Sequence, residues 1–369
     1  MSSAAPLPSR LERFRVAAHD LGVAAALISS PRHIFYLTGY LPGDRSPAFL
    51  LLRSEQPLLV AGGSDHPGVV PHVEYYEDYS IHHVVDRRQA AARALIEAAE
   101  RYGLANEGPI GVELCHLPAF AEPVLGGRER VDVTPLLRAL RAIKDPDEQE
   151  CIRRSVAVTA AGHAAARQAA VPGVTELEVY AAIQRACVLA AGEPITFDGD
   201  FVSGDRSWQI GGPPSDRVMD QAELFICDLF PTVGGYWADT TRTFAIGGAR
   251  RAHHELYDIA LRALERGRRA LRPGVRARDV YHEVRAAIAE AGRADNFPHH
   301  AGHGIGVEPH ESPMIIPGDE AELRVGMVLT LEPGIYVEGV GGVRLEDNYI
   351  ITDDGAEGIA NYPFGLEAT

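Results

Sequence analysis

Residues 228–244 read DLFPTVGGYWADTTRTF and have the pattern of a β-hairpin. Apolar and β-branched residues flank Gly234–Gly235, which is typical of a tight turn between antiparallel strands. The turn residues, beginning at Val233, lie about midway between Asp228 and Asp239, so a hairpin without a bulge is expected to place these two aspartates directly opposite each other. Opposed side chains have Cβ atoms about 4.5–5.5 Å apart, and two carboxylates at that spacing repel unless a cation lies between them.

A second hairpin pattern repeats this arrangement downstream. Residues 331–347 read LEPGIYVEGVGGVRLED, with a glycine-rich centre near Gly339. Pairing about that centre places Glu332 opposite Glu346. The sequence therefore predicts two hairpins that each carry a pair of opposed acids.

A histidine-rich segment separates the two hairpins. Residues 297–311 read FPHHAGHGIGVEPHE, and glycines flank His303 on both sides. Imidazole with carboxylates suits manganese, cobalt or zinc. Four carboxylates and one histidine exceed the needs of one tetrahedral zinc, whereas two ions about 3.5–4 Å apart would use them all. Spacing alone leaves a simpler alternative open, in which the acids are solvated turn residues and His303 is a loop residue.

Size and composition limit the possible functions. At 369 residues the chain is expected to form two domains. Its formal charge of −16 argues against nucleic acids and anionic membranes as partners. No apolar run approaches the length of a membrane span, and the N-terminus does not resemble a secretory signal. Four widely spaced cysteines indicate free thiols in a reducing compartment, so a cytoplasmic location is expected. The single lysine, Lys144, leaves almost no candidate for a Schiff base.

The order of helix and strand patterns predicts an α/β domain over residues 1–143 and an α+β domain over residues 144–369. Proline and acidic residues after Asp145 mark a helix start just beyond this boundary. In the first domain we predict the following elements: a strand at Ala24–Ser29, a hairpin of Ala48–Arg53 with Pro57–Ala61, a helix at Arg88–Tyr102 and a strand at Ile110–Leu114. In the second domain we predict four helices: Asp147–Ala170, Thr175–Ala191, Ala252–Leu271 and Ala277–Ala291.

The two acidic hairpins, together with GHGIGVEPHE at residues 302–311, resemble the metal-site motifs of the creatinase, prolidase and methionine aminopeptidase superfamily. YLTG at residues 36–39 and RAIKDPDEQE at residues 141–150 resemble the prolidase and aminopeptidase P branch. The resemblance therefore extends over essentially the whole chain. It implies a creatinase/prolidase-like N-terminal domain and a "pita-bread" catalytic domain, in which two similar halves related by a pseudo-twofold axis enclose the site.

The resemblance also implies site residues and an activity. Two divalent ions, manganese first and cobalt or zinc as alternatives, would be bound by Asp228, Asp239, His303, Glu332 and Glu346. Glu332 would also pass on a proton of the attacking water, His310 would hydrogen-bond the substrate or intermediate, and His299 would be a further site histidine. The expected enzyme is a homodimeric Xaa-Pro peptidase acting on small peptides with proline at the second position, and a dipeptidase is favoured over an aminopeptidase P.

The sequence departs from the family pattern in two places. The family usually has a histidine in the loop before the first aspartate, but residues 203–217 read SGDRSWQIGGPPSDR and place Gly211 at that position. Many prolidases also have an arginine shortly after the His-Glu pair, where this chain has Met314. Two other arginines are candidates for binding a dipeptide carboxylate. The first is Arg344, for which a supporting role beside the ligand Glu346 is the favoured alternative. The second is Arg45, which follows the YLTG segment interpreted as a strand end; a surface ion pair of Arg45 with Asp44 is the alternative.

Two other functions remain as alternatives. A metal-dependent hydrolase of a small non-peptide amide fits the altered loop at Gly211, since creatinase shares the fold. A non-catalytic binding module is the other alternative, although relatives of that kind lose the ligands and this chain has all five. Methionine aminopeptidase is disfavoured by the additional N-terminal domain.

Overall fold

The computed structural model describes residues 8–43, 45–53, 56–63, 70–104 and 108–367. The chain divides into two compact units, Met1–Arg141 and Ala142–Thr369. The boundary predicted between residues 143 and 144 lies two residues from this division. Within the described residues, no helix combines the length and the apolar character that crossing a bilayer requires.

The first unit is a mixed six-stranded sheet with helices. Its helices are α1 (Pro8–Asp20), α2 (Pro31–Thr38), α3 (Arg87–Tyr102), α4 (Glu122–Leu125) and α5 (Thr134–Ala142), with a 3-10 turn at Ala119–Ala121. Its strands are β1 (Ala25–Ile28), β2 (Phe49–Leu52), β3 (Leu58–Gly62), β4 (His72–Tyr76), β5 (Ile110–Val112) and β6 (Arg130–Asp132). The strand order is β4-β3-β2-β1-β5-β6. Successive buried residues of β1 serve two cores, because Leu27 packs in one apolar cluster and Ile28 in the other.

Most predictions for this unit are confirmed. Strands β2 and β3 pair antiparallel, as the hairpin prediction requires, although Ser54 in its turn lies outside the described residues. The predicted helix at 88–102 is α3. The interpretation of YLTG as a strand end is wrong, because Tyr36–Thr38 form the last turn of α2. Proline at the start of a helix and a left-handed glycine at its end explain this, since Gly39 ends α2 with a φ of 73°.

Over residues 142–367, the second unit contains four helices and three sheets. The helices are α6 (Pro146–Ala169), α7 (Glu176–Ala191), α8 (Arg251–Ala270) and α9 (Ala277–Glu290), with 3-10 turns at Gly204–Gln209 and Ala294–Asn296. The first group of strands is β7 (Phe197–Asp198), β8 (Phe201–Ser203), β9 (Glu223–Val233), β10 (Tyr236–Trp237) and β11 (Thr240–Ile246). The second group is β12 (His303–Gly304), β13 (Glu311–Met314), β14 (Val328–Leu331), β15 (Gly334–Val337), β16 (Gly341–Arg344), β17 (Asp347–Thr352) and β18 (Gly355–Gly358). All four predicted helices are confirmed to within a residue at each end.

The second unit is built from two similar halves, each with a pair of helices followed by strands. Helices α6 and α7 pack with β9 and β11 around one core, while α8 and α9 pack with β14 and β17 around another. A glycine allows close packing in each half. A Cβ at Gly162 of α6 would lie 2.7 Å from Leu229, next to Asp228, and a Cβ at Gly267 of α8 would lie 2.8 Å from Leu331, next to Glu332. The duplicated acidic hairpins therefore rest on equivalent helix pairs.

The first acidic hairpin has a different register from the one predicted. Thr241, and not Asp239, lies opposite Asp228. The reason is the turn, which uses only Gly234 and Gly235, both with positive φ (58° and 83°), instead of the three residues assumed. Because side chains alternate with a period of two, this two-residue shift leaves Asp239 on the same face as Asp228.

The second hairpin has the predicted register. Leu331 pairs with Asp347 and Gly334 pairs with Arg344, so one continuous register brackets Glu332 and Glu346. Gly339 lies at its centre with a φ of 74°. The prediction for this hairpin is therefore confirmed.

Candidate metal centre

Five buried side chains that the sequence singled out are brought toward one region of the second unit. They come from β9, the residue before β11, β12, the link from β14 to β15 and the link from β16 to β17. In that order they are Asp228, Asp239, His303, Glu332 and Glu346. Regular strands end at or beside four of them, which leaves their side chains at the edges where the two halves meet.

Three of these residues form one compact group of metal-ligand atoms. Asp239, His303 and Glu346 each offer an atom within 4.8 Å of the others. His303 Nε2 also lies 3.4 Å from Asp239 Oδ2 and 3.4 Å from Glu332 Oε1. His303 Nδ1 lies 2.9 Å from the Gly304 carbonyl, to which it can only donate, so in the neutral ring Nε2 presents a lone pair to the carboxylates.

Glu332 belongs to a second group that includes two histidines. Glu332, His299 and His300 also offer ligand atoms within 4.8 Å of one another. His300 Nδ1 lies 3.2 Å from Glu332 Oε1, although we did not predict His300 as a site residue. The adjacent histidines at 299 and 300 were the sequence signal for this second residue. Only His299 was predicted, because it lies four residues before His303, as in the family motif.

The unpaired oxygens of the cluster fit divalent cations. Asp228 Oδ1, Asp239 Oδ1 and Glu346 Oε1 are buried and receive no hydrogen bond from the part of the chain that the structure describes. Buried polar atoms normally have a partner, and leaving a charged one without any is costly. Carboxylate oxygens beside an imidazole nitrogen form the donor set of manganese, cobalt or zinc, so the residues present match the implied ions.

The electrostatics of the acids agree with this assignment. Burial, followed by the charges of Glu346, Asp228 and Glu332, raises the pKa of Asp239 well above its ordinary value. Burial and then Glu332 and Asp228 do the same to the pKa of Glu346. Without a cation these carboxyls therefore favour protonation, and a divalent ion would replace the protons.

Glu332 behaves in the opposite way. Burial alone would raise the pKa of Glu332, but the hydrogen bond and charge of His300, together with His303 and His299, outweigh burial and lower the pKa. Glu332 is therefore the acid of the cluster that ionises most readily. An ionised carboxylate at this place is able to accept a proton.

Asp228 lies outside both compact groups and contacts Arg344. The guanidinium of Arg344 donates to Asp228 Oδ2 and is fully surrounded by groups of the second unit. Its other acceptors are Asp200 Oδ2 at 2.7 Å, the Ile210 carbonyl at 3.0 Å and the hydroxyls of Tyr336 and Thr241, both at 3.2 Å. We predicted Arg344 as a candidate substrate-binding residue, but its N–H groups donate to acceptors of the second unit that surround Asp228.

The two predicted accessory histidines occupy different environments. His310 is exposed, and its ring stacks on His303 with centroids 4.0 Å apart. Burial by its surroundings still lowers the pKa of His310. His299 is half-buried, its Nε2 lies 2.9 Å from the Tyr336 hydroxyl, and burial lowers its pKa to about 4. Both rings are therefore neutral at neutral pH.

A buried ion pair supports the loop that carries His310. The only lysine of the chain, Lys144, donates to Glu311 Oε2 at 3.0 Å, and both side chains are almost completely buried. Glu311 Oε1 in turn accepts from the Glu308 backbone N–H at 3.1 Å. The residue next to His310 is thus fixed from two sides.

Three polar residues that we did not predict connect the halves around the acids. Thr241 Oγ1 donates to Glu346 Oε2 at 2.8 Å, and Asn348 Nδ2 donates to the Asp239 carbonyl at 2.6 Å. Arg242 donates to the Glu346 carbonyl at 2.6 Å and lies 4.1 Å from the centre of the Phe364 ring. Their sequence signal was the run of polar residues inside strands that are otherwise apolar.

The remaining candidate lies in the first unit. Arg45 is exposed in a turn, while its alternative ion-pair partner Asp44 lies outside the described residues.

Comparison with known proteins gives consistent matches over the chain. The sequence model of metallopeptidase family M24 matches residues 150–353, and the model of the creatinase/prolidase N-terminal domain matches residues 10–143. A relative named Xaa-Pro dipeptidase from Pyrococcus furiosus is 29% identical, with 95% of this chain and 97% of that protein covered. A relative named probable dipeptidase PepE from Mycobacterium tuberculosis is 32% identical, with 97% and 95% covered.

The solved structures agree with these matches. The crystal structure of the prolidase from Pyrococcus horikoshii superimposes with a TM-score of 0.84 at 27% identity, covering 97% of this chain and 99% of that one. The Xaa-Pro dipeptidase from Bacillus anthracis gives a TM-score of 0.85 at 25% identity. The predicted fold, an α/β N-terminal domain before a pita-bread catalytic domain, is confirmed.

Proposed function

Because the chain belongs to metallopeptidase family M24, we propose that it is a two-metal Xaa-Pro peptidase that cleaves the bond before proline and prefers dipeptides to longer peptides. The observation that carries the proposal is the group formed by Asp239, His303 and Glu346, with Glu332 in contact with His303. The relatives named Xaa-Pro dipeptidase, matched over nearly the full length, support this choice of substrate.

The ligand assignment follows the predicted set. Asp228, Asp239, His303, Glu332 and Glu346 would hold two divalent ions, and we propose manganese ahead of cobalt or zinc. When bound, such ions would lower the pKa of water and polarise the carbonyl that is attacked. The raised pKa values of Asp239 and Glu346 support a site that needs cations at neutral pH.

The remaining chemistry belongs to side chains of this chain. Glu332, whose Oε1 lies 3.4 Å from His303 Nε2, would accept a proton from the attacking water and deliver it to the proline nitrogen as the C–N bond breaks. His310 is neutral and exposed beside His303, where its N–H would donate to the substrate carbonyl or to the oxyanion of the tetrahedral intermediate. His299, bound to Tyr336, would line the pocket rather than transfer protons, since its low pKa keeps it neutral.

Arg45 is the remaining candidate for the dipeptide carboxylate. It is exposed on the glycine–proline loop of the first unit, and a guanidinium binds a carboxylate with two parallel hydrogen bonds. The contacts of Arg344 with Asp228 and Asp200 favour a positioning role for that arginine over substrate binding. We further propose a cytoplasmic homodimer. The wide spacing of the four cysteines along the sequence supports a reducing compartment, and the family resemblance supports the dimer.

The substrate is tested with a panel of small peptides. Metal-free protein would be supplied with manganese, cobalt or zinc and assayed on Ala-Pro, Met-Pro and Ala-Pro-Ala, beside Asp239→Ala as the inactive control. Release of proline from the dipeptides, with the tripeptide cut more slowly, is the expected result. Preference for Ala-Pro-Ala would instead identify an aminopeptidase P. Metal binding without cleavage of any peptide would direct the search to small non-peptide amides, as the loop at Gly211 suggests.

A further inference from the structure

In the loop that lacks the family histidine, the space beside Gly211 is occupied by the carboxylate of Asp200. A Cβ built at Gly211 would lie 2.1 Å from Asp200 Oδ2 and 2.4 Å from its carboxyl carbon. No side chain fits at position 211 while Asp200 keeps this place. The position of the Asp200 carboxylate therefore requires glycine at residue 211.

Asp200 is fixed between the loop and the site. Its Oδ1 accepts from the Gly212 N–H at 2.8 Å, and its Oδ2 accepts from Arg344 Nη2 at 2.7 Å. The same nitrogen, Arg344 Nη2, also donates to Asp228 Oδ2. One guanidinium N–H₂ group thus bridges Asp200 and the predicted metal ligand Asp228.

The loop also has a strained backbone at Ile210, the residue whose carbonyl contacts the Arg344 guanidinium. Ile210 has a φ of 80° and a ψ of −66°, which is the rare classic γ-turn conformation and is unfavourable for a β-branched residue. Its carbonyl accepts from Arg344 Nη1 at 3.0 Å. Strain of this kind persists where surrounding contacts hold it and is concentrated at functional sites.

Building on the proposed metallopeptidase function, we propose that Asp200 is a positioning residue that, with Gly211, keeps Asp228 available for metal by sharing Arg344 with it. Without a second acid, the buried guanidinium would pair with Asp228 alone and compete with a cation for its oxygen. Asp200 supplies the charge that offsets Arg344, and it also adds a negative charge near the ions. Both effects act in the same direction, toward tighter metal binding.

The first test is the affinity of metal-free protein for Mn²⁺ measured by isothermal titration calorimetry. Asp200→Asn keeps the shape of the side chain and removes its charge. Because Asp200 is partly exposed, we expect about a tenfold rise in the Kd for Mn²⁺, less than removal of a fully buried partner would cause. Glu357→Gln, which removes an acid from the exposed ion pair with Arg153, is the matched control and should leave the Kd unchanged.

A double-mutant cycle tests the pairing of Asp200 with Gly211. Gly211→Ala changes no charge but displaces Asp200, so it should weaken Mn²⁺ binding to a similar degree. In the Asp200→Ala background the same Gly211→Ala change should have no further effect on the Kd. An additive effect, or an Asp200→Asn Kd equal to that of the wild type, would overturn the proposal.

The same variants separate this proposal from the proposed function. If wild-type protein binds Mn²⁺ but cuts no Xaa-Pro peptide, the peptidase assignment fails while the Kd comparison still stands. If Asp200→Asn binds Mn²⁺ normally and only the KM for Ala-Pro rises, Asp200 contacts substrate and the positioning role is wrong. Melting temperatures of the metal-free variants show whether each one is folded before its Kd is compared.

Discussion

The Thr241 hydroxyl donates a hydrogen bond to Glu346 Oε2 at 2.8 Å and thereby joins the first acidic hairpin to the second. Thr241 is also the residue directly opposite Asp228, and its hydroxyl accepts from Arg344 Nε at 3.2 Å. A residue that is not itself a predicted ligand therefore fixes the relative positions of two that are.

We expect Thr241→Val to weaken Mn²⁺ binding by about tenfold, because a buried hydrogen bond to a charged acceptor contributes roughly 1.5–3 kcal/mol. Valine keeps the shape of threonine, so the loss should come from the hydroxyl alone. Calorimetric titration of metal-free protein measures the change. Thr241→Ser restores the hydroxyl and should recover most of the affinity, whereas equal affinities for the valine variant and the wild type would contradict the assignment.

The acids should make the metal-free protein sensitive to pH. The pKa of Asp239 is raised in the folded protein, while in the unfolded chain it is about 3.9. Between these two pKa values the folded state holds a proton that the unfolded state has released. The contribution of protonated Asp239 to the free energy of unfolding is therefore fully present below about pH 4 and is lost as the pH rises toward the raised folded-state pKa.

In the Asp239→Asn variant the side chain at this position does not titrate, so the fall in stability that Asp239 causes with rising pH is removed. Relative to wild type, the metal-free variant should gain stability from pH 4.5 to pH 7.5, by about 1.4 kcal/mol for each pH unit below the folded-state pKa. Thermal unfolding at the two pH values measures this difference. Added Mn²⁺ should stabilise the wild type strongly and the variant weakly. A difference between the two proteins that stays constant with pH would argue against the raised pKa.

His310 is expected to act on the substrate and not on the ions. His310→Ala should lower kcat for Ala-Pro by about a hundredfold, the cost of removing one donor to a developing oxyanion, with little change in the Kd for Mn²⁺. Steady-state kinetics and calorimetry measure the two quantities. His282→Ala, at an exposed position on α9, is the matched control. A variant that loses metal instead of turnover would make His310 a structural support of His303.

Arg45 is expected to select dipeptides. Arg45→Ala should lower kcat/KM for Ala-Pro far more than for Ala-Pro-Ala and leave Mn²⁺ binding intact, because only the dipeptide places its carboxylate next to the scissile bond. Arg88→Ala, an exposed arginine at the start of α3, is the control. Dipeptide kinetics equal to those of the wild type would remove Arg45 from the site.

Much of the fold could be predicted because local signals agreed with tertiary structure. Asp145 and Pro146 begin α6 with reciprocal capping by Glu148, as their order in the sequence suggests. The register of the second hairpin follows from its glycine centre at Gly339. The predicted register of the first hairpin was wrong by two residues, because the length of the turn cannot be read from the residues around Gly234. The prediction that Asp239 lies on the same face of the hairpin as Asp228 was nevertheless correct, since a shift by an even number of residues keeps each side chain on its face.

The site was harder to predict wherever residues act through distant partners. Asp200 precedes Arg344 by 144 positions, and no local pattern connects them. Gly211 was visible as a departure, but its reason lay in the volume taken by the Asp200 carboxylate. His300 was overlooked because its neighbour His299 matched the family motif. Motifs identify ligands, whereas the groups that hold the ligands depend on tertiary contacts.

The most direct test of the central claim is a titration of metal-free protein with Mn²⁺ while the release of proline from Ala-Pro is followed. With two ions held by the five predicted ligands, activity should rise until about two equivalents are bound per chain and then remain constant. His303→Ala should bind fewer ions and release no proline. Hydrolysis of Ala-Pro by fully metal-free protein, or two bound ions with no proline released, would contradict the account.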